Sequence, residues 1–170
     1  MSDSTNLFSR KRLLHAGGAL GLLAAIPRVT SAADAPMIGA WHLQSFDAEQ
    51  PDGTWRPRYG DRPVGYLIYT ADGHVSAILS AMHRPKFESP DAATSTTEQR
   101  TRALNEFLAY AGSYHVRGNH VFHKVETSVF TDLVGRTLER EFHIKGDVLT
   151  IRTLPPYLWK NASTLVWKKA

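Results

Sequence analysis

Two side chains stand where the surrounding pattern calls for aliphatic ones. His123 lies between Val121 and Val125, and Arg140 lies between Leu138 and Phe142. In the run from Val121 to Phe130, Val121, His123, Val125, Thr127 and Val129 share one face. Phe122, Lys124, Glu126, Ser128 and Phe130 share the other. In the next run, Leu138, Arg140, Phe142 and Ile144 fall opposite Glu139, Glu141 and His143. Alternation of this kind marks a sheet with one wet and one buried side. A guanidinium on the buried side needs anionic or carbonyl partners, because burial without them costs several kcal/mol. Its functional use is a bidentate seat for a ligand carboxylate. Its structural use is a pair inside the fold. An imidazole there is either a satisfied core group, a polar contact in a cavity, or a general base. No carboxylate in its own strand shares its face, so any partner of His123 must come from across the sheet.

Tyrosines are the other candidates, as amphipathic rings with a hydroxyl at the tip. Tyr66, Tyr69, Tyr110 and Tyr114 all fall near strand-like runs. Tyr69 shares parity with Gly65 and Leu67, and Tyr114 with Val116, so these two lead. The candidate ligand-binding set is therefore His123, Arg140, Tyr69 and Tyr114, with His123 the catalytic residue if the protein is an enzyme. Glu139, Glu141 and His143 alternate with apolar neighbours and read as a solvated face. His120 and His123 lie on opposite faces of one strand and cannot grip a metal together. No phosphate loop, nucleotide fingerprint or Gly-x-Ser-x-Gly elbow occurs, and the sequence implies no cofactor and no metal site.

The elements that must hold these residues are short and mostly extended. Met37 to Phe46 opens the body, and Val64 to Thr70 is an apolar strand. Ala71–Asp72–Gly73 turns it back into His74 to Ser80, a hairpin signal. Thr97 reads as the N-cap of a helix over about residues 98–110, with Leu104, Phe107, Leu108 and Ala111 as its apolar stripe. Ser113 to Val116, the 121–130 and 138–144 runs, Leu149 to Ile151 and Ser163 to Lys168 complete about eight strands. Pairing Val125 with Arg140 and His123 with Phe142 keeps the two apolar faces together. Many short antiparallel strands with one inserted helix suggest an all-β closed barrel, whose interior is either filled or holds one small ligand.

The first residues stand apart from this body. Ser9–Arg10–Lys11–Arg12–Leu13–Leu14 leads into a mostly apolar run from Leu13 to Ile26, then Pro27–Arg28 and small residues. A basic region, an apolar region and a small-residue cleavage site describe an export signal. The run has 14 residues, among them His15 and three glycines, which is too short and too weak for a membrane span. The Ser-Arg-Lys-Arg order resembles a twin-arginine signal, with Lys11 where a second Arg is usual. Cleavage after Ala33 is expected, which divides the chain into a leader, 1–33, and a barrel domain, 34–170, delivered to the periplasm or secreted. The whole chain carries a net charge of +4. Without Arg10, Lys11, Arg12, Arg28 and Asp3 it keeps 16 basic and 15 acidic residues, a near-neutral body. Such a body is no footprint for nucleic acid. With no cysteine, thiol catalysis and thiolate-bound metals are excluded, and the exported fold must rest on its core and its sheet. Oligomeric state is not legible in any of this.

Gly39–Ala40–Trp41 heads the first strand. VGYLIYTADGHVS (64–76), FLAYAGSYHV (107–116), HKVETSVF (123–130) and the closing TLVWKK come after it in order. Together these blocks resemble the bacterial lipocalin-like domain family, over Ile38 to Lys169. The resemblance implies a small calycin-type barrel with an interior cavity for a small-molecule ligand. It also implies that Trp41 packs at the closed end beneath an arginine from a late strand, Arg140 or Arg152, with Gly39 and Trp41 structural. The expectation is an exported barrel that binds or carries a small hydrophobic or amphipathic molecule. The alternative is a barrel isomerase, cyclase or dehydratase that uses His123 with a Tyr or an acid for proton transfer.

Overall fold

A computed structural model of the chain describes residues 29–30, 35–84, 86–87, 92–155 and 161–170. Its strands are β1 (Val29–Thr30), β2 (Gly39–Glu49), β3 (Trp55–Pro57), β4 (Val64–Tyr69) and β5 (His74–Ser80). One α-helix, α1 (Thr97–Asn105), precedes β6 (Phe107–Arg117), β7 (His120–Ser128), β8 (Thr137–Lys145), β9 (Val148–Thr153) and β10 (Ser163–Lys169). Neighbours run β6-β5-β4-β2-β10-β9-β8-β7, and β7 pairs back onto β6. Eight antiparallel strands thus close on themselves and leave no free edge along the path. The short β3 pairs with the end of β2, and β1 pairs with Arg117 and Val116 of β6. Val29 and Thr30 are the only part of the expected 1–33 leader among the described residues. No helix among the described residues is long and apolar enough to cross a membrane.

Period-two burial runs through most of the barrel strands, and β2 breaks it between Leu43 and Phe46, where its pairing with β10 shifts register. Along β4 the exposed Val64, Tyr66 and Ile68 alternate with the buried Gly65, Leu67 and Tyr69. On β7 the inward positions are Val121, His123 and Val125, and on β8 they begin with Leu138 and Arg140. The face assignments made from alternation stand as far as Val125, and Glu139, Glu141 and His143 lie outside. Past Glu126, where β7 shifts register, Thr127 and Val129 are exposed and Phe130 packs against the core instead. The expected β7–β8 register does not hold. His123 lies opposite Leu138 rather than Phe142, and Arg140 lies opposite Val121 rather than Val125. A displacement by an even number of residues preserves every face, so the apolar pattern alone cannot distinguish the two pairings.

The helix is shorter than its expected 98–110. Thr96, not Thr97, is the N-cap: its hydroxyl accepts from the Gln99 backbone N–H, and the Gln99 side chain reaches back to the Thr96 N–H. The helix ends at Asn105 and buries none of its residues, and Leu104 is exposed. Phe107, Leu108 and Ala111 leave the supposed helical stripe and join β6, where Leu108 pairs with Leu79 and Tyr110 with Ala77. The reason lies in the residues beyond Asn105. From Leu108 the buried positions recur at every second residue through Tyr110, Tyr114 and Val116, and a ladder on both sides outweighs a spacing of three and four shared by four side chains.

One end of the barrel is sealed by Met37, Trp41, Leu149 and Val116, all almost fully buried. The indole Nε1–H of Trp41 donates to the Met37 carbonyl at 2.7 Å. The cation over its ring is Lys169, with Nζ 5.1 Å from the centroid, and neither Arg140 nor Arg152. Lys169 pairs directly with Trp41 across β10 and β2, whereas Arg152 is exposed and Arg140 faces an interior cavity. Gly39 fits the same arrangement. Its φ of +126° disfavours any side chain, and a Cβ there would sit 3.3 Å from Lys169 Cε.

Candidate ligand cavity

His123 faces the barrel interior from β7 and is 1% exposed. Its Nε2 lies 2.8 Å from the Tyr69 hydroxyl, and its Nδ1 lies 2.8 Å from the Tyr110 hydroxyl. Three strands supply this row: β4 carries Tyr69, β6 carries Tyr110 and β7 carries His123. It exists only because the sheet closes through β6 and β7. Burial, and then the nearby Arg140 charge, push the imidazole down to a pKa of about 3. The ring is therefore neutral, with one N–H to give and one bare nitrogen to receive. One tyrosine donates to it and the other accepts from it. Burial raises both tyrosines above the ordinary phenol range, Tyr69 the further of the two. Neither ionises near neutral pH.

Above this row lies an enclosed space. Phe46, Leu79, Leu108, Ile151 and Leu165 form its apolar wall, and Tyr110, His123, Arg140, Thr153 and Trp167 bring polar atoms to it. The empty space between atoms comes to about 440 Å³, which includes the part open to solvent at its mouth. The closed part of the cavity is far smaller, about 40 Å³. The smaller figure governs what enters without movement, roughly three water molecules. An aromatic ring does not fit that volume unless the lining side chains move.

Of the four candidate residues, the structure brings three into one group. His123 and Arg140 line the cavity, and Tyr69 supports His123 from behind. Tyr114 stays apart: its ring packs edge-on against Tyr69 at 4.8 Å, and its hydroxyl donates to the Thr70 carbonyl at 2.9 Å. Tyr66 points outward, its ring tilted against that of His42. Tyr110, expected from its spacing at a helix end, is the second partner of His123. Trp167 also lines the cavity, and the sequence pattern does not single it out, although its parity with Leu165 along β10 places it on the same inner face. Among the described residues no three His, Asp or Glu side chains gather in a way that would hold a metal ion.

A closed eight-stranded barrel with one inserted helix and polar groups at the floor of an apolar cavity defines a lipocalin-like protein. The chain belongs to the lipocalin-like domain family, whose sequence model matches residues 38–170. Among curated proteins it is 32% identical, over 106 residues, to the 4'-hydroxy-3'-methoxypropiophenone carrier protein ppsC of Aspergillus oryzae. That match spans 56% of this chain and 96% of the fungal protein. No solved structure matches the chain significantly.

Proposed function

We propose that this protein carries a small, partly aromatic molecule in the interior of its barrel, after export from the cytoplasm. The observation that supports this best is the cavity itself, a mostly apolar chamber with a few convergent polar groups, which is the usual make-up of a small-molecule site. The fungal relative, named as the carrier of a methoxylated phenolic ketone, favours carriage over catalysis and a guest of about one ring. Export is supported by the basic-then-apolar start of the chain. Cleavage after Ala33 would also release Val29 and Thr30 from their pairing with β6.

The enzyme reading asks more of His123 than its surroundings allow. A general base works best when its pKa lies near the operating pH. This imidazole is held at about 3, both nitrogens already face phenols, and no buried carboxylate among the described residues stands beside it. His123 is better suited to fixing the cavity floor. Native mass spectrometry of the protein recovered from the producing cells tests the proposal. A folded species starting near residue 34 with an added small organic mass is the expected result. A full-length species with no adduct, and no retention of added aromatic ketones, would contradict it.

A further inference from the structure

The barrel interior is electrically lopsided. The buried polar and charged side chains among the described residues are Ser95, His123, Arg140, Thr153 and Ser163, so no Asp or Glu is buried among them. Arg140 is 6% exposed and is the one formal charge in that set. Its guanidinium makes a local bond, Nη1 to the carbonyl of its own neighbour Glu139 at 2.9 Å. No carboxylate among the described residues pairs with it. Burial disfavours the guanidinium, the nearby Tyr110 and Tyr69 favour it, the charge of Arg136 disfavours it again, and an arginine stays protonated in proteins. Trp167 lines the same cavity, is 2% exposed, and its indole Nε1–H has no hydrogen-bond partner. A buried cation and a buried orphan donor both cost stability when nothing answers them. Both line one chamber, and an indole N–H can only donate.

We propose that the chamber takes its ligand as an anion, a small aromatic molecule whose carboxylate or ionised phenol oxygen is held by Arg140 and Trp167. Resting on the carriage reading, this names the chemistry that the carried molecule must present. The guanidinium supplies charge and a planar fork suited to oxygen anions. Trp167 supplies one directed donor, and Phe46, Leu108 and Ile151 enclose the ring. His123 and Tyr110 then form a neutral floor, which leaves the Arg140 charge uncompensated until the ligand arrives. In this scheme Arg140 is kept for binding, and stability would be served as well by an apolar side chain.

Three probes separate the possibilities at pH 6: 4-hydroxy-3-methoxybenzoate, its methyl ester, and 3,4-dimethoxybenzoate. Binding is read by calorimetry on the purified chain. Both carboxylates are expected to bind roughly tenfold or more tighter than the ester, the worth of one charge-assisted contact. Tightening of the ester between pH 6 and pH 9, as its phenol ionises, would equally support an anion site and would identify the phenolate as its guest. Arg140→Met is expected to remove the preference for acid over ester. Without ligand it should unfold at the same denaturant concentration as the wild type or a higher one, because replacing an unanswered buried charge by a hydrophobe is neutral or stabilising. Trp167→Phe keeps the ring, loses the donor, and should weaken acid binding several-fold. An ester that binds as tightly as the acids at every pH would overturn the anion assignment while leaving carriage intact. So would an Arg140→Met variant that keeps the preference, or one that is strongly destabilised. Failure of all three probes and of aromatic ketones to bind would overturn both readings.

Discussion

His123→Gln is expected to be less stable than the wild type at pH 7.5 and to draw level with it, or pass it, by pH 4. The imidazole takes its proton at about pH 3 in the folded chain and at 6.5 in the unfolded one. Between those values the unfolded chain binds the extra proton, so stability rises with pH. The contribution is whole above about pH 6.5 and is lost as pH falls, roughly 3 kcal/mol of it by pH 4. Glutamine can neither gain nor lose a proton in that range. Its cost at pH 7.5 is the disturbed hydrogen bonding with Tyr69 and Tyr110, about 1–3 kcal/mol. Denaturant unfolding of both proteins at pH 7.5, 5.5 and 4 should show the gap closing. A gap that stays constant across the window would mean that His123 is protonated, or is reached by water, in the folded barrel.

Gly112→Ala should be the most damaging single-carbon change in the sheet. Gly112 lies on the inner face of β6 between Tyr110 and Tyr114, at the point where β6 and β7 change register. Ala111 pairs with Thr127 and Gly112 with Val125, so Glu126 is left over as a bulge. The strands approach so closely there that an added Cβ would overlap the Lys124 carbonyl oxygen and lie 2.9 Å from the Glu126 nitrogen. Both obstacles are backbone, and no rotamer change relieves them. The strands would have to separate, which costs roughly 3 kcal/mol or more. Because Tyr114 and His123 face each other two residues along, the displacement should also reach the tyrosine–histidine row. The expected outcome is a chain that unfolds at much lower denaturant concentration and has weakened near-ultraviolet circular dichroism. Wild-type stability would show that the bulge is loosely packed.

How much of this is legible in the chain depends on the kind of information each feature needs. Parity along one strand requires only nearest neighbours, and it places His123, Arg140, Tyr69 and Tyr114 inside. Partnership requires knowing which strands meet, and there parity is silent. The expected β7–β8 pairing is displaced by an even number of residues, and the expected arginine over Trp41 gives way to Lys169. Tyr110 is obscured by a helix-like spacing from Leu104 to Ala111 that the sheet overrides. The Tyr69–His123–Tyr110 row joins residues 54 and 13 positions apart, and only barrel closure brings them together. Trp167 is readable as buried, but an unanswered indole N–H is visible only once its surroundings are known.

The most direct test of the central claim is the behaviour of the Trp167 indole N–H in proton–nitrogen spectra as 4-hydroxy-3-methoxybenzoate is added. If the barrel interior is the binding site and the anion is held there, that resonance moves as the site fills, together with the Arg140 Nε–H. The indole of Trp55, which is 43% exposed on the outside, stays where it is. Changes confined to outward residues such as Ile68 and Ile78, with Trp167 and Arg140 unmoved at saturation, would place the ligand on the surface and contradict the account.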